Sequence, residues 1–126
     1  MLITLIQERD GKVEARALEP EWQKLEEWHG VPFRGISFSA LLEAGPAQVA
    51  LNHFEPEAEA PPHSADQFCF IQVVRGRGKV GLPDGSEVAY DGPHLFLFQP
   101  GAHHTWHDVD EETLLSICLV SAPEAS

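Results

Sequence analysis

Apolar and polar residues alternate along most of the chain after Gly35, in short runs that end at proline, glycine or aspartate. A two-residue period is typical of strands with one buried face. The pattern predicts eight strands, at residues 36–42, 48–54, 68–74, 78–82, 86–90, 94–98, 103–106 and 113–120. Asp84-Gly85 predicts a tight hairpin. Many short strands at regular spacing predict an all-β sandwich or barrel, for which the jelly roll is a common arrangement.

The first 35 residues have a different pattern. Residues 2–6 read as a short apolar strand, and residues 20–27 as one short helix. Proline suits the first helical position, and Leu18, Trp22 and Leu25 recur at helical spacing. We expect Trp22 and Trp28 to close one end of a barrel rather than to contact a ligand.

The composition of the chain argues against several classes of function. The 126 residues include 20 acidic and 8 basic ones, a net charge of −12, which opposes binding to nucleic acid or to anionic membranes. No apolar run approaches the roughly 20 residues that span a bilayer. Two cysteines, Cys69 and Cys118, are too few for a secreted disulfide scaffold, so a reducing, cytoplasmic location is expected. Cys118 lies on an apolar strand and is predicted to be in the core.

Histidines carry the main chemical signal. The chain has seven, and five lie in or beside two segments, residues 61–76 and 99–108. Such clustering raises the question of a metal site, because neutral imidazole is a common metal ligand.

The first of these segments resembles the first sequence motif of the cupin superfamily, which runs Gly, five residues, His-x-His, three or four residues, Glu, six residues, Gly. His63 falls on its first histidine and Ala65 on its second. Cys69 stands at the glutamate position, and Gly76 follows at the required spacing. Glu57 replaces the opening glycine.

The second segment resembles the second cupin motif, Gly, five residues, Pro-x-Gly, two residues, His, three residues, Asn. Gln99 replaces its proline, while Gly101 and His104 match. Asp108 stands at the asparagine position, and Gly92 is one residue away from the opening glycine. The two motifs and their linker cover about two fifths of the chain.

The resemblance implies a fold and an assembly. We expect one jelly-roll β-barrel domain over residues 1–126, with a barrel core at about 36–121 and a strand and a short helix in residues 1–35. Cupins of this size commonly pair through an N-terminal strand, so a homodimer is expected.

Strand alternation predicts which side chains face the interior. His63, Gln67 and Cys69 share one parity, and His104 and Trp106 share another, so both sets can line one small-molecule pocket. His53, on the strand that leads into the first motif, is also predicted to contact the ligand, together with Gln67 and Trp106.

The resemblance implies three histidines and a glutamate as ligands in metal-binding cupins, of which His63 and His104 are present here. Cys69 is the third predicted ligand, because a thiolate coordinates zinc, iron or copper. The predicted cofactor is a divalent transition metal (iron, zinc, nickel or copper).

Two function classes stay open. One is a metal-dependent, non-hydrolytic enzyme, such as a dioxygenase or isomerase acting on a small organic molecule. The other is a binding or sensing module that holds a small molecule without metal. No nucleophile, base and acid arrangement is evident, and uptake of metal by the purified protein would discriminate best between the two.

Overall fold

The computed structural model describes residues 1–121, and this part of the chain is all β, with no helix. Correspondingly, no membrane-spanning helix is found within these residues. The all-β prediction is confirmed. The strands are β1 (Ile3–Arg9), β2 (Lys12–Leu18), β3 (Gln23–Lys24), β4 (Glu27–Trp28), β5 (Val31–Pro32), β6 (Arg34–Ala44), β7 (Ala47–His63), β8 (Phe68–Gly81), β9 (Glu87–Asp91), β10 (His94–Phe98) and β11 (His104–Val120).

One antiparallel sheet contains most of these strands, in the order β10-β8-β11-β7-β6-β3, with β9 paired to the last part of β8. Its hydrogen-bonded path ends at β10 and β3 and does not close into a ring. The prediction of a barrel is therefore corrected to an open sheet. The predicted Asp84-Gly85 hairpin is present, between β8 and β9.

Three strands are much longer than the sequence pattern predicts. β7 and β11 have 17 residues each and β8 has 14. Strands β8 and β11 each join two stretches that the pattern separates. The first part of β8 pairs with β10 and the last part with β9. The halves of each long strand thus contribute to two layers.

The bend between the layers depends on Gly76. Its φ is +118°, and a Cβ added there would lie 2.2 Å from Oγ1 and 2.6 Å from Cα of Thr113 on β11. No side chain fits at that separation, so only glycine allows β8 to cross β11 here. Glu57 on β7 and Asp108 on β11 also have left-handed φ, of 69° and 49°.

The core between the layers is built around Trp106 of β11, which is 2% exposed. Its ring packs edge-on against Phe54 of β7, Tyr90 of β9 and Phe96 of β10, at centroid distances of 5.4, 5.8 and 5.5 Å. Aromatic pairs at these separations and angles are favourable. One side chain therefore links four strands from both layers.

The predicted helix at residues 20–27 is wrong. Gln23 and Lys24 pair with β6, and the amide of Leu25 donates to the carbonyl of Ile36 at 2.9 Å. A helix this short is marginal by itself, because its nucleation costs more than its few hydrogen bonds return. As a strand, residues 23–25 instead form their backbone hydrogen bonds with the open edge of β6. Leu25 still packs against the core.

The N-terminal hairpin of β1 and β2 forms its own two-stranded sheet. Several of its apolar side chains are exposed, including Ile6 and Val13, each at 69%. The hairpin is thus placed apart from the main sheet. The homodimer expected from the resemblance stays a prediction.

We predict that Glu57→Gly stabilises the protein by about 0.5–1 kcal/mol, because the left-handed conformation is strained for glutamate and ordinary for glycine. Glu55→Gly is the matched control. Glu55 is an exposed residue of the same strand without a positive φ, so this change should destabilise by about 0.5–1 kcal/mol. Urea unfolding of the two variants measures both effects, and equal destabilisation would contradict the expected strain at Glu57.

Candidate functional site

A cavity of about 300 Å³ lies between the two layers. Its walls are mostly apolar, and six aromatic side chains contribute to them: Trp28, Phe33, Phe38, Phe54, Phe98 and Trp106. The exposed lining residues mark its mouth: Ala40, Leu42, Glu43, Gln48 and Gln99. An apolar cleft with a few placed polar groups is typical of a small-molecule site.

Two histidines form the main polar feature of the wall. His63 is the last residue of β7 and His104 the first of β11, and the two strands pair them directly. Their ring centroids are 4.5 Å apart. Phe98 stacks on the His104 ring at 3.9 Å, and Phe33 meets the His63 ring edge-on at 4.9 Å. Aromatic contacts therefore fix both imidazoles.

Each imidazole is also held by a backbone carbonyl two residues before it. His63 Nδ1 lies 2.8 Å from the Pro61 oxygen, and His104 Nδ1 lies 3.2 Å from the Ala102 oxygen. A carbonyl only accepts, so Nδ1 is the donor in both rings. In a neutral ring this leaves Nε2 with a free lone pair.

Both lone pairs are accessible. Within residues 1–121 no buried side-chain nitrogen or oxygen lacks a hydrogen-bond partner, and the only hydrogen bonds of His63 and His104 are those of Nδ1. Each Nε2 must therefore reach open space, and the space that both rings line is the cavity.

Burial keeps these rings neutral. The pKa of His104 is lowered to about 4, chiefly because burial removes water from the charged form and then because His63 is close. Burial also lowers the pKa of His63. At neutral pH the pair therefore presents two uncharged acceptors.

Five of the six predicted site residues line this cavity: His63, Gln67, Cys69, His104 and Trp106. The side chains that the sequence interpretation missed are mainly aromatic, above all Phe98, Phe33 and Trp28. Phe98 could have been found, because it shares the inward parity of buried Phe96. Trp28 was expected only to close the barrel, but it lines the cavity and donates to the Ser64 carbonyl at 3.0 Å.

His53 does not line the cavity. It lies in a separate, more open groove of about 480 Å³, where Nε2 is 2.8 Å from Glu112 and the ring meets Trp22 edge-on. His53 and His63 lie on different faces because the β7–β11 register slips by one residue between Ala60 and His63. Such a bulge turns the two halves of a strand to opposite faces.

The predicted metal site does not assemble. Among the described residues, no three histidine, cysteine or carboxylate side chains are placed to hold a metal ion together. His63, Cys69 and His104 thus do not form the expected set, and Ala65 supplies no donor. Two neutral imidazoles fall short of the three protein ligands typical of catalytic zinc sites. The donor set present does not fit a bound transition metal.

The two thiols differ from the expectation as well. Burial, and to a lesser extent Cys118, raises the pKa of Cys69 to about 12, so its thiol stays protonated at neutral pH. Cys118 is half-buried rather than in the core. Cys69 therefore acts as a small apolar group in the cavity wall.

Several solved structures with a similar fold are described as cupins. A cupin 2 conserved barrel domain protein from Rhodopseudomonas palustris matches with a TM-score of 0.69 and 13% identity, over 98% of this chain and 83% of that one. A predicted oxalate decarboxylase from Thermotoga maritima gives 0.70 and 14%, over 82% and 95%. The Schizosaccharomyces pombe Cnp3 cupin domain gives 0.68 and 12%, over 96% and 88%.

No protein-family profile and no curated protein sequence matches the chain. The bent sheet and its internal cavity are those of a jelly-roll protein. Together with the structural matches, they show that the chain has the cupin fold, which confirms the resemblance at the level of the fold.

We predict that the purified protein retains no stoichiometric iron, zinc, nickel or copper after incubation with each metal and desalting. The double variant Ala65→His, Cys69→Glu, which supplies the two donors that the cupin motif has and this chain lacks, should retain about one ion per chain. Elemental analysis measures both. A full equivalent of metal in the wild type, lost in His104→Ala, would contradict this.

We also predict an acid-dependent loss of stability. In the unfolded chain His104 takes up a proton near its ordinary pKa of 6.5, while in the folded protein it does so at about 4. The unfolded state therefore binds more protons across this window, so stability falls as pH drops from 6.5 to 4, by on the order of 2–3 kcal/mol. Urea unfolding at several pH values should show a flatter profile for His104→Gln than for the control His103→Gln, a change at an exposed residue.

Proposed function

We propose that the cavity binds a small, uncharged and largely apolar organic molecule, without requiring a transition metal. The observation that carries this is the lining itself. Its one charged member among the described residues is Glu43, an exposed residue at the mouth, and no lysine or arginine contributes. A charged ligand would lose its hydration without a compensating partner in the interior.

The size of the cavity agrees with this class of ligand. An engineered apolar cavity of roughly 150 Å³ in another protein binds one benzene molecule. The volume here is about 300 Å³, enough for a molecule of about two fused rings. The six aromatic side chains of the wall would give such a molecule flat surfaces to pack on.

A metal-dependent enzyme is the weaker alternative. Other structures with the same fold are described as the polyketide cyclase RemF from Streptomyces resistomycificus and as DMSP lyases, at 16% and 15% identity. Those descriptions belong to those proteins, because likeness at this level carries the fold alone. In this chain the donors at positions 65 and 69 are replaced, which favours binding over metal chemistry.

The test is to fill the cavity. Ala50→Phe places a ring on the β7 wall, where Ala50 pairs with Ile117 and lines the cavity. Ala89→Phe is the control, at an exposed position on β9 that does not line the cavity. A panel of neutral bicyclic aromatic fragments is titrated by ligand-observed NMR in the presence of a chelator.

We expect fragments to bind the wild type and the Ala89→Phe variant equally, and Ala50→Phe at least tenfold more weakly. The physical reason is that the new ring occupies the volume that the fragment needs. Binding that disappears with chelator, or that Ala50→Phe leaves unchanged, would contradict the proposal.

A further inference from the structure

The two imidazoles of the cavity wall accept hydrogen bonds but do not donate them to its contents. Each Nδ1–H is already given to a backbone carbonyl, of Pro61 for His63 and of Ala102 for His104. A neutral imidazole has one N–H, so each Nε2 offers only a lone pair. The strand pairing places the two rings beside each other, with 4.5 Å between their centroids, in a mostly apolar wall that also contains Asn52, Ser64 and Gln67.

The neighbouring rings restrict how a ligand reaches these atoms. Phe98 covers one face of the His104 imidazole at 3.9 Å, with an interplanar angle of 18°. Phe33 contacts the His63 ring at 4.9 Å. A hydrogen-bond donor must therefore approach in the plane of the imidazole, along the Nε2 lone pair, while the rest of the ligand packs against aromatic surfaces.

The wall of the cavity does not favour a charged ligand, whether an anion or a cation. The side-chain N–H donors of the lining are neutral ones, on Asn52, Gln67 and the two tryptophans, and no lysine or arginine lines the cavity within the described residues to balance the charge of a carboxylate or phosphate. Two adjacent lone pairs would repel an anion. An organic cation would find aromatic faces, but the one carboxylate of the lining, Glu43, is exposed at the mouth, where solvent screens its attraction for a cation.

We infer that the ligand is a neutral aromatic molecule with a hydroxyl group, whose O–H donates to Nε2 of one of the two histidines, His63 or His104. This rests on the proposed binding function and names the chemical class that the site selects. The hydroxyl fixes the orientation of the ligand, and the aromatic part supplies most of the buried surface.

The test uses four probes of one shape at pH 7.5: 2-naphthol, 2-methoxynaphthalene, 2-naphthoate and 2-naphthylmethylammonium. The methoxy compound keeps the oxygen and loses the donor, and the last two add a negative or a positive charge. Affinities are measured by titration in the presence of a chelator, for the wild type and for His63→Phe, His104→Phe and His103→Phe. The first two variants replace an acceptor with an aromatic ring, and the third is a control at an exposed position.

We expect the wild type to bind 2-naphthol at least tenfold more tightly than either charged probe. The ratio of 2-naphthol to 2-methoxynaphthalene affinity should fall about fivefold to tenfold in at least one of His63→Phe and His104→Phe, the one that removes the acceptor of the buried hydrogen bond, and stay unchanged in His103→Phe. This ratio cancels effects of the variants on cavity size.

The two levels of the proposal fail differently. If all four probes bind with similar affinity, or 2-naphthoate binds best, the inferred ligand class is wrong while the cavity remains a binding site. If the wild-type ratio is the same in every variant, the histidines are not the acceptors. If no probe and no neutral fragment binds at all, the proposed function itself is wrong, and the inferred class with it.

Discussion

The rest of the structure depends on the close approach of two backbones at Gly76 and Thr113. The pairing of β8 with β11 is irregular on both sides of this point, and the approach leaves no room for a Cβ on β8. Thr113 is fully buried there, and its hydroxyl donates to the Glu111 carbonyl at 3.0 Å and meets the Tyr90 hydroxyl at 3.3 Å. Any residue larger than glycine at position 76 would therefore force β8 and β11 apart at this point.

Backbone conformation distinguishes the cupin-motif positions that this chain keeps from those that it has changed. Gly76 and Asp108 occupy motif positions where the backbone needs a positive φ, and aspartate tolerates the left-handed region better than most residues. Glu57 stands at the opening glycine position and has a φ of 69°. The positions that carry backbone geometry therefore follow the motif in conformation, whereas Ala65 and Cys69 have lost its metal donors.

The sequence predicted the fold class well and the site only in part, for identifiable reasons. Alternation around Phe96 and the turn at Asp84-Gly85 are local signals, and both were read correctly. The segment at residues 20–27 was misread because its pairing with β6 is non-local. Residues 75–77 look like a turn in sequence, yet they continue one bent strand. The inward direction of His53 was misjudged because the bulge before His63 has no local signature.

The open path of the main sheet has a consequence for how quickly a ligand exchanges. In a ring of paired strands, widening the interior would break backbone hydrogen bonds. Here the path ends at β10 and β3, and the exposed lining residues lie at the end of β6, the start of β7 and just after β10. If the proposed ligand binds there, the mouth can widen by bending of paired strands, without breaking a closed ring of backbone hydrogen bonds.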